Sequence, residues 1–168
     1  MKTTAVQKSN STAGKLGSQW NASLPMRRRD LLKLLGGGIL VFIYSPRSLH
    51  AQNRLPSGFL QIGQDGTITM LTGKIEMGQG VMTSLAQMAA EEMDAPLSSM
   101  RVVMGDTQLC PADADGGTWG SLTTRNFGPS LRSAAARARA VLVQLASAQL
   151  GIPKDQLITR DGFVIKRA

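Results

Sequence analysis

Residues 67–92, TITMLTGKIEMGQGVMTSLAQMAAEE, decide the fold of this chain. The first six residues alternate in the manner of a half-buried β-strand, and a glycine-rich turn follows over residues 73–80. From Val81 onward apolar residues recur at helical spacing, and Pro96 stops the pattern. The stretch therefore predicts a strand, a glycine-rich turn and an amphipathic helix over residues 81–94.

The flanking segments extend this unit in both directions. Residues 59–62 and 67–72 alternate on either side of Asp65-Gly66, which predicts a β-hairpin. The remaining predicted elements are a strand at 101–104, a helix at 129–150 ended by Gly151, and a hairpin over 157–165 turning at Asp161-Gly162. The predicted order is ββ-α-β-α-ββ, so the fold class is α+β.

The positive charge lies outside this folded part. The 168 residues carry Lys+Arg 19 against Asp+Glu 11, a formal charge of +8, of which +7 belongs to residues 1–52 and +1 to the rest. A nucleic-acid-binding domain would carry its basic residues on the folded surface that meets phosphate. We therefore exclude nucleic acid as a partner. Residues 1–25 are polar, without an apolar period, and predict a disordered extension.

Residues 26–51 have the layout of an export signal. Three arginines at 27–29 precede Asp30, Leu31 and Leu32, and an apolar run follows over residues 34–44. This resembles a twin-arginine signal peptide with Arg28 and Arg29 as the pair and Ala51 as the cleavage site. As a helix the run measures about 16 Å, half of a hydrocarbon core of about 30 Å. The expectation is a signal helix, cleaved or retained, that places the domain at 52–168 in the periplasm or on the periplasmic face of the inner membrane.

One cysteine and one histidine limit the metal chemistry that the side chains can support. They exclude an internal disulfide and a zinc or iron–sulfur site ligated by the protein, which needs three or four such ligands. We therefore assign no metal ligand, and Cys110 is interpreted as a bystander thiol.

Two loops have the composition of ligand-binding segments. In Glu76-Met77-Gly78-Gln79-Gly80, glycines flank an amide side chain, and the helix that follows offers N–H groups to an anionic ligand. Residues 116–124 bring several hydroxyls to the start of the next helix. From spacing alone, a plain strand-to-helix turn and an ordinary helix cap remain open alternatives for the two loops.

Taken together, residues 58–165 resemble the amino-terminal molybdopterin-binding part of large subunits in the xanthine dehydrogenase/aldehyde oxidase superfamily. The nearest subgroup is the isoquinoline 1-oxidoreductase beta-subunit and membrane-bound aldehyde dehydrogenase type. The motifs that carry the resemblance are Gly73–Gly80, Thr83, Gln87, Ala90-Glu91-Glu92, 101–107 and Thr118-x-Gly120-Ser121. The resemblance implies that Gly78, Gln79, Gly80, Thr118, Gly120 and Ser121 contact a molybdenum–molybdopterin cofactor.

The same resemblance implies a partial, partner-dependent unit. Such large subunits oxidise aldehydes or N-heterocycles, and their general-base glutamate lies near the carboxyl end, in a part that this chain lacks. No catalytic residue is therefore assigned, and we expect no activity from the chain alone. The implied partners are the remainder of the large subunit, an iron–sulfur small subunit and a membrane cytochrome. A non-enzymatic periplasmic accessory subunit and an inactive gene remnant are the alternatives.

Other residues receive structural interpretations. Glu76 is expected to support its loop rather than to transfer protons, and the family usually carries a small residue where Trp119 stands. Glu91, Glu92, Arg132, Arg137 and Arg139 are interpreted as solvated helix faces, although the arginines could contact a cofactor phosphate. The methionines at 77, 82, 88, 93, 100 and 104 are expected to fill the core.

Overall fold

A computed structural model describes residues 26–27 (backbone only), 38–44, 56–112 and 117–167. The strands are β1 (Met26–Arg27), β2 (Ile39–Ile43), β3 (Gly58–Ile62), β4 (Ile68–Thr72), β5 (Met100–Met104), β6 (Leu157–Arg160) and β7 (Phe163–Lys166); the α-helices are α1 (Val81–Glu92) and α2 (Gly128–Leu150). From β3 to β7 this is the predicted ββ-α-β-α-ββ order, so the α+β class is confirmed.

Four strands form the sheet that carries the site. Their order is β2-β3-β4-β5; β3 pairs antiparallel with both β2 and β4, whereas β4 and β5 run parallel, joined by α1. The alternation predicted from the sequence places Leu60 and Met70 opposite each other in the core, while Gln61 points outward. Both helices cover the inner face of this sheet.

The two helices pack closely because α2 presents alanine to its neighbours. Ala134, Ala135 and Ala138 are fully buried beside Leu85 and Ala89 of α1. Small side chains allow the helix axes to approach, and each buried apolar group adds to the hydrophobic free energy of folding. Gly151 ends α2 with a φ of 65°, the left-handed C-terminal conformation that its sequence position predicts.

The carboxyl-terminal hairpin is fixed to the helices through Asp94. The hairpin turns at Asp161 (φ 50°) and Gly162 (φ 83°), the pair of positive φ values of a tight two-residue turn. The Gly162 N–H donates to the Asp94 carbonyl at 2.6 Å, and the Arg139 guanidinium donates to the Asp94 carboxylate at 2.9 Å. A short pairing of β1 with β7 extends this second sheet.

Strand β2 corrects the expectation of a signal helix over residues 39–43. These five residues pair in full register with β3, and Ile43 is completely buried. Ile-Leu-Val-Phe-Ile is rich in β-branched and aromatic residues, which favour a β-strand at least as well as a short helix. The disordered extension at 1–25 and the proposed cleavage point at Ala51 lie outside the described residues. None of the helices in the described ranges combines the length and the apolar character that crossing a membrane requires.

Candidate functional site

The first loop, residues 73–80, joins the end of β4 to the start of α1. Gly78 has a φ of 93° and Gly80, the residue at the helix N-terminus, a φ of 79°. Residues other than glycine rarely adopt this left-handed backbone conformation, so the turn requires glycine at both positions. A Cβ placed on either would meet no atom within 4 Å, which means that the space beside the loop is open.

The carboxylate of Glu76 holds this loop in its conformation through hydrogen bonds to the backbone. Its carboxylate accepts hydrogen bonds from the N–H groups of Gly78 (2.8 Å), Gly80 (2.9 Å) and Met82 (2.8 Å). The expected role of Glu76 in supporting its loop is thereby confirmed. These bonds also occupy the N–H groups of Gly80 and Met82, so the expectation that the helix start offers N–H groups to an anionic ligand is wrong for these two.

The hydrogen bonds to Glu76 predict an acid-sensitive loop. The Met82 and Gly80 N–H groups, opposed by slight desolvation, lower the pKa of the Glu76 carboxyl below its usual 4.5. A lowered folded-state pKa means that the stabilisation is present above pH 4.5 and is lost as the pH falls through the lowered value. We expect the protection of the Gly78, Gly80 and Met82 amides against hydrogen exchange to fall with acidification in this window. Glu76→Gln should show weak protection at every pH, and equal protection in both proteins would contradict the assignment.

Gln79 is oriented by the same loop. Its Oε1 accepts the Met77 N–H at 2.6 Å, and its Nε2 donates to the Ile75 carbonyl at 3.0 Å. An amide nitrogen carries two N–H groups, so one donor of Gln79 remains for a ligand. The side chain is thus held rigidly at the surface of the loop, with a single hydrogen-bond donor to offer.

The second loop, residues 117–122, is built from left-handed backbone. Gly117 (φ 96°), Gly120 (φ 58°) and Ser121 (φ 56°) all have positive φ, which is costly for a serine. A π-helical turn over Thr123–Phe127 follows, and the buried ring of Phe127 anchors it before α2 begins. Strained residues and π-helical turns concentrate at functional sites. The sequence pattern did not predict this turn.

Lys74 joins the two loops. Although it is charged, it is only 2% exposed, and its Nζ donates to the Gly117 carbonyl at 2.9 Å. Beside it, the Ile75 N–H donates to the Thr118 hydroxyl at 2.9 Å. The sequence interpretation gave Lys74 no role in the site; its position directly after a strand and within a glycine-rich turn was the available signal. These bonds bring together two loops that are about forty residues apart in sequence.

The joined loops line a cleft of about 420 Å³, within the range of small-molecule sites. Gln79, Thr118, Gly120 and Ser121, four of the six predicted site residues, line it, whereas Gly78 and Gly80 flank Gln79 in the chain. The full lining consists of Met77, Gln79, Val81, Ser84, Thr118, Trp119, Gly120, Ser121, Thr123 and Thr124. The lining combines apolar side chains from both loops with several hydroxyl groups.

The other candidate residues lie elsewhere. Arg132 pairs with Glu92 at 2.6 Å, so both belong to a contact between the helices rather than to the cleft, and Glu92 is not simply solvated. The core-filling interpretation is wrong for Met77 and Met82, which are exposed. Cys110, half buried, donates its S–H to the Val103 carbonyl, in keeping with a bystander thiol.

The cleft suits an organic ligand with many polar atoms. In the part of the chain that the structure describes, no group of three metal-ligating side chains occurs. The hydroxyls of the second loop, the remaining Gln79 N–H and the open space beside Gly78 and Gly80 fit an organic ligand with many polar atoms. Fold and site together define an α+β domain for binding such a ligand.

Comparison with protein families identifies that domain. Residues 16–168 match the molybdopterin cofactor-binding domain, and the chain belongs to this family. The resemblance inferred from the loop motifs is thereby confirmed, and with it the molybdenum–molybdopterin cofactor as the ligand of the family.

Several curated proteins are similar in sequence. The B component of nicotinate dehydrogenase from Pseudomonas putida is 39% identical over 64% of this chain and 9% of its own length. The beta chain of isoquinoline 1-oxidoreductase from Brevundimonas diminuta is 36% identical over 67% of the chain and 15% of its own. Membrane-bound aldehyde dehydrogenase from Gluconacetobacter polyoxogenes is 31% identical over 90% of this chain and 21% of its own length. The chain therefore spans between about a tenth and a fifth of the length of these relatives.

Solved structures show the same fold. Quinoline 2-oxidoreductase from Pseudomonas putida 86 superposes with a TM-score of 0.57 at 25% identity, covering 79% of this chain and 18% of that one. CO dehydrogenase from Oligotropha carboxidovorans also superposes with a TM-score of 0.57. Its sequence identity is 23%, and the match covers 73% of this chain and 16% of that one. The helices and the four-stranded sheet thus occur within much larger oxidoreductase chains.

Proposed function

We propose that this chain supplies one wall of the molybdopterin site in a molybdenum-dependent oxidoreductase acting on aldehydes or N-heterocycles. The observation that carries the proposal is the junction of the two loops: Lys74 and Ile75 bind Gly117 and Thr118, and both loops line one cleft. Family membership gives the class of cofactor. The kind of substrate comes from the names of relatives that act on nicotinate, isoquinoline and aldehydes.

In this proposal each loop has a separate task. Gln79 donates its remaining N–H to a polar edge of the cofactor, at a position fixed by its bonds to Met77 and Ile75. Thr118, Gly120 and Ser121 offer hydroxyl and backbone groups from the opposite side. Glu76 keeps the turn in shape; because three backbone N–H groups donate to its carboxylate, we assign it neither metal ligation nor proton transfer.

The bound cofactor would supply the redox chemistry, and the protein would position it. Among the residues that the structure describes, none of the side chains lining the cleft is an acid or a histidine, so no general base is assigned there. The aligned segments cover only 9% to 21% of the length of these relatives. We therefore propose that turnover needs further polypeptide: the rest of a large subunit, an iron–sulfur subunit and a membrane cytochrome as electron acceptor.

Purification from the native host tests this function. The full chain carrying a carboxyl-terminal tag, from cells grown with molybdate, is expected to bring down further polypeptides, molybdenum and a pterin that fluoresces after oxidation. The isolated chain should oxidise neither an aldehyde nor an N-heterocycle. Partner proteins without molybdenum would favour the non-enzymatic accessory subunit, and turnover by the isolated chain would refute the need for further polypeptide.

We also propose that the chain is exported by the twin-arginine route with residues 38–44 retained. The support for export is Arg28-Arg29 followed by Asp30 and two leucines. Because Ile43 is buried in the core and Ile39–Ile43 pairs along all of β3, cleavage after Ala51 would remove a strand of the domain. Losing a paired strand with a buried side chain would destabilise the domain, and we therefore propose that the segment is retained.

The amino terminus of the exported protein checks this proposal. Mass spectrometry of periplasmic and membrane fractions is expected to find a chain that still contains residues 38–44, and replacing Arg28 and Arg29 with lysine should leave the protein in the cytoplasm. A periplasmic protein that begins at Gln52 would show that the strand is dispensable. A wild-type chain confined to the cytoplasm would remove the export proposal.

A further inference from the structure

The cleft exposes two large apolar side chains. Trp119 is 64% exposed and Met77 69% exposed, the two highest values for large hydrophobic residues in the described part of the chain. Both line the cleft, one on each loop. Exposed indole surface is unfavourable in water, and a tryptophan buries a large area when a ligand covers it. Two such residues at one cleft indicate a surface that a ligand completes.

The backbone holds both residues in place. The Met77 N–H is bonded to Gln79, and the Trp119 carbonyl accepts the Leu122 N–H at 3.2 Å. The indole lies close to Gly117, where an added Cβ would be 3.6 Å from the Trp119 Cδ1. The bond from Lys74 to Gly117 then fixes one loop relative to the other. The backbone that carries the pair is therefore organised before any ligand arrives, which lowers the entropic cost of binding.

We propose that Trp119 and Met77 form a binding slot for a planar, electron-poor heteroaromatic ring. The inference rests on the proposed function and deepens it by giving the cleft a ring-binding subsite. An indole face carries negative charge density and stacks on electron-poor rings, and a thioether makes favourable contacts with aromatic rings. Thr118, Ser121 and the remaining Gln79 N–H supply hydrogen bonds to polar atoms at the ring edge.

Two sources can supply such a ring: the pterin of the cofactor and an N-heterocyclic substrate. Both are flat and electron-poor, and the slot recognises this shared chemistry. A saturated ring of the same size lacks the π-face, so it separates stacking from simple hydrophobic contact. The test therefore uses 6-hydroxymethylpterin, quinoline and, as the non-aromatic control, cyclohexanol.

The two tryptophans of the chain allow a direct measurement. In the full chain, Trp20→Phe leaves Trp119 as the sole indole, and we expect its fluorescence to be quenched saturably by 6-hydroxymethylpterin, by quinoline or by both, and not by cyclohexanol. Which ring binds more tightly identifies the source. Equilibrium dialysis of Trp119→Leu should show binding weakened about 5- to 100-fold, the range measured for stacking on aromatic side chains.

Controls keep the outcomes decisive. Met77→Ala should weaken binding, whereas Leu109→Ala, which removes another exposed apolar side chain outside the cleft, should not. Circular dichroism verifies that each variant is folded. The proposed slot would be contradicted if wild type and Trp119→Leu bound the rings with equal affinity, or if cyclohexanol bound as tightly as the heteroaromatic rings. If the slot fails while the protein from the native host contains molybdenum, the proposed function stands without it; if the molybdenum is also absent, both fail.

Discussion

Replacing Lys74 with methionine is expected to reduce the molybdenum content of the protein from the native host by about 10-fold or more. Methionine keeps most of the buried stem but removes the ammonium that donates to Gly117. A hydrogen bond from a charged group contributes about 1.5–3 kcal/mol, which corresponds to about 10- to 100-fold in affinity if it organises the site. The measurement is molybdenum and pterin per chain.

The matched control is Lys154→Met, which alters an exposed lysine that does not line the cleft. It should leave the cofactor content unchanged. Thermal melting separates a displaced loop from a lost fold: Lys74→Met should still unfold in one cooperative transition. Full molybdenum content in Lys74→Met would show that the junction of the two loops does not matter for the cofactor.

Replacing Ile43 with alanine is expected to lower the free energy of unfolding by about 2–5 kcal/mol, the usual cost of a large-to-small change in a core. Ile43 is completely buried at the end of β2, where its carbonyl also accepts the Ser57 N–H at 2.7 Å. Chemical denaturation of the full chain measures the effect. If β2 did not pack into the core, Ile43→Ala would leave the free energy of unfolding almost unchanged.

Leu40→Ala is the control for that experiment. Leu40 lies on the same strand but is 54% exposed, so its truncation should change stability by less than about 0.5 kcal/mol. Equal effects at the two positions would contradict the inward orientation of Ile43. A large effect at Ile43 alone would mean that the segment resembling a signal peptide is part of the domain, and it would strengthen the proposal that the segment is retained.

Local sequence patterns predicted most of the fold. Alternation gave β3 and β4, helical spacing gave α1 and α2, and Gly151 gave the end of α2. Strand β2 was missed because the same apolar run satisfies the middle of a signal peptide and an edge strand. Only pairing with β3, a tertiary contact, distinguishes these two structures.

The sequence predicted which loops form the site but not the hydrogen bonds that hold them together. The resemblance indicated that the loops around Gln79 and Thr118 act together, and they line one cleft. The hydrogen bonds of Lys74 and Glu76 could not be assigned from spacing, because they depend on left-handed turns that bring distant backbone groups within reach. The use of the Gly80 and Met82 N–H groups by Glu76 was missed for the same reason: the sequence contains Glu76 but does not show where its carboxylate folds back.

Hydrogen–deuterium exchange on the protein from the native host tests the central claim most directly. Comparing cofactor-loaded with cofactor-free protein, we expect slower exchange on loading in peptides covering residues 76–82 and 117–124, with no change in the β6–β7 hairpin at Leu157–Lys166. Protection of both loops would place the cofactor against the cleft that they share. Unchanged exchange in both loops, with protection elsewhere in the chain, would contradict it.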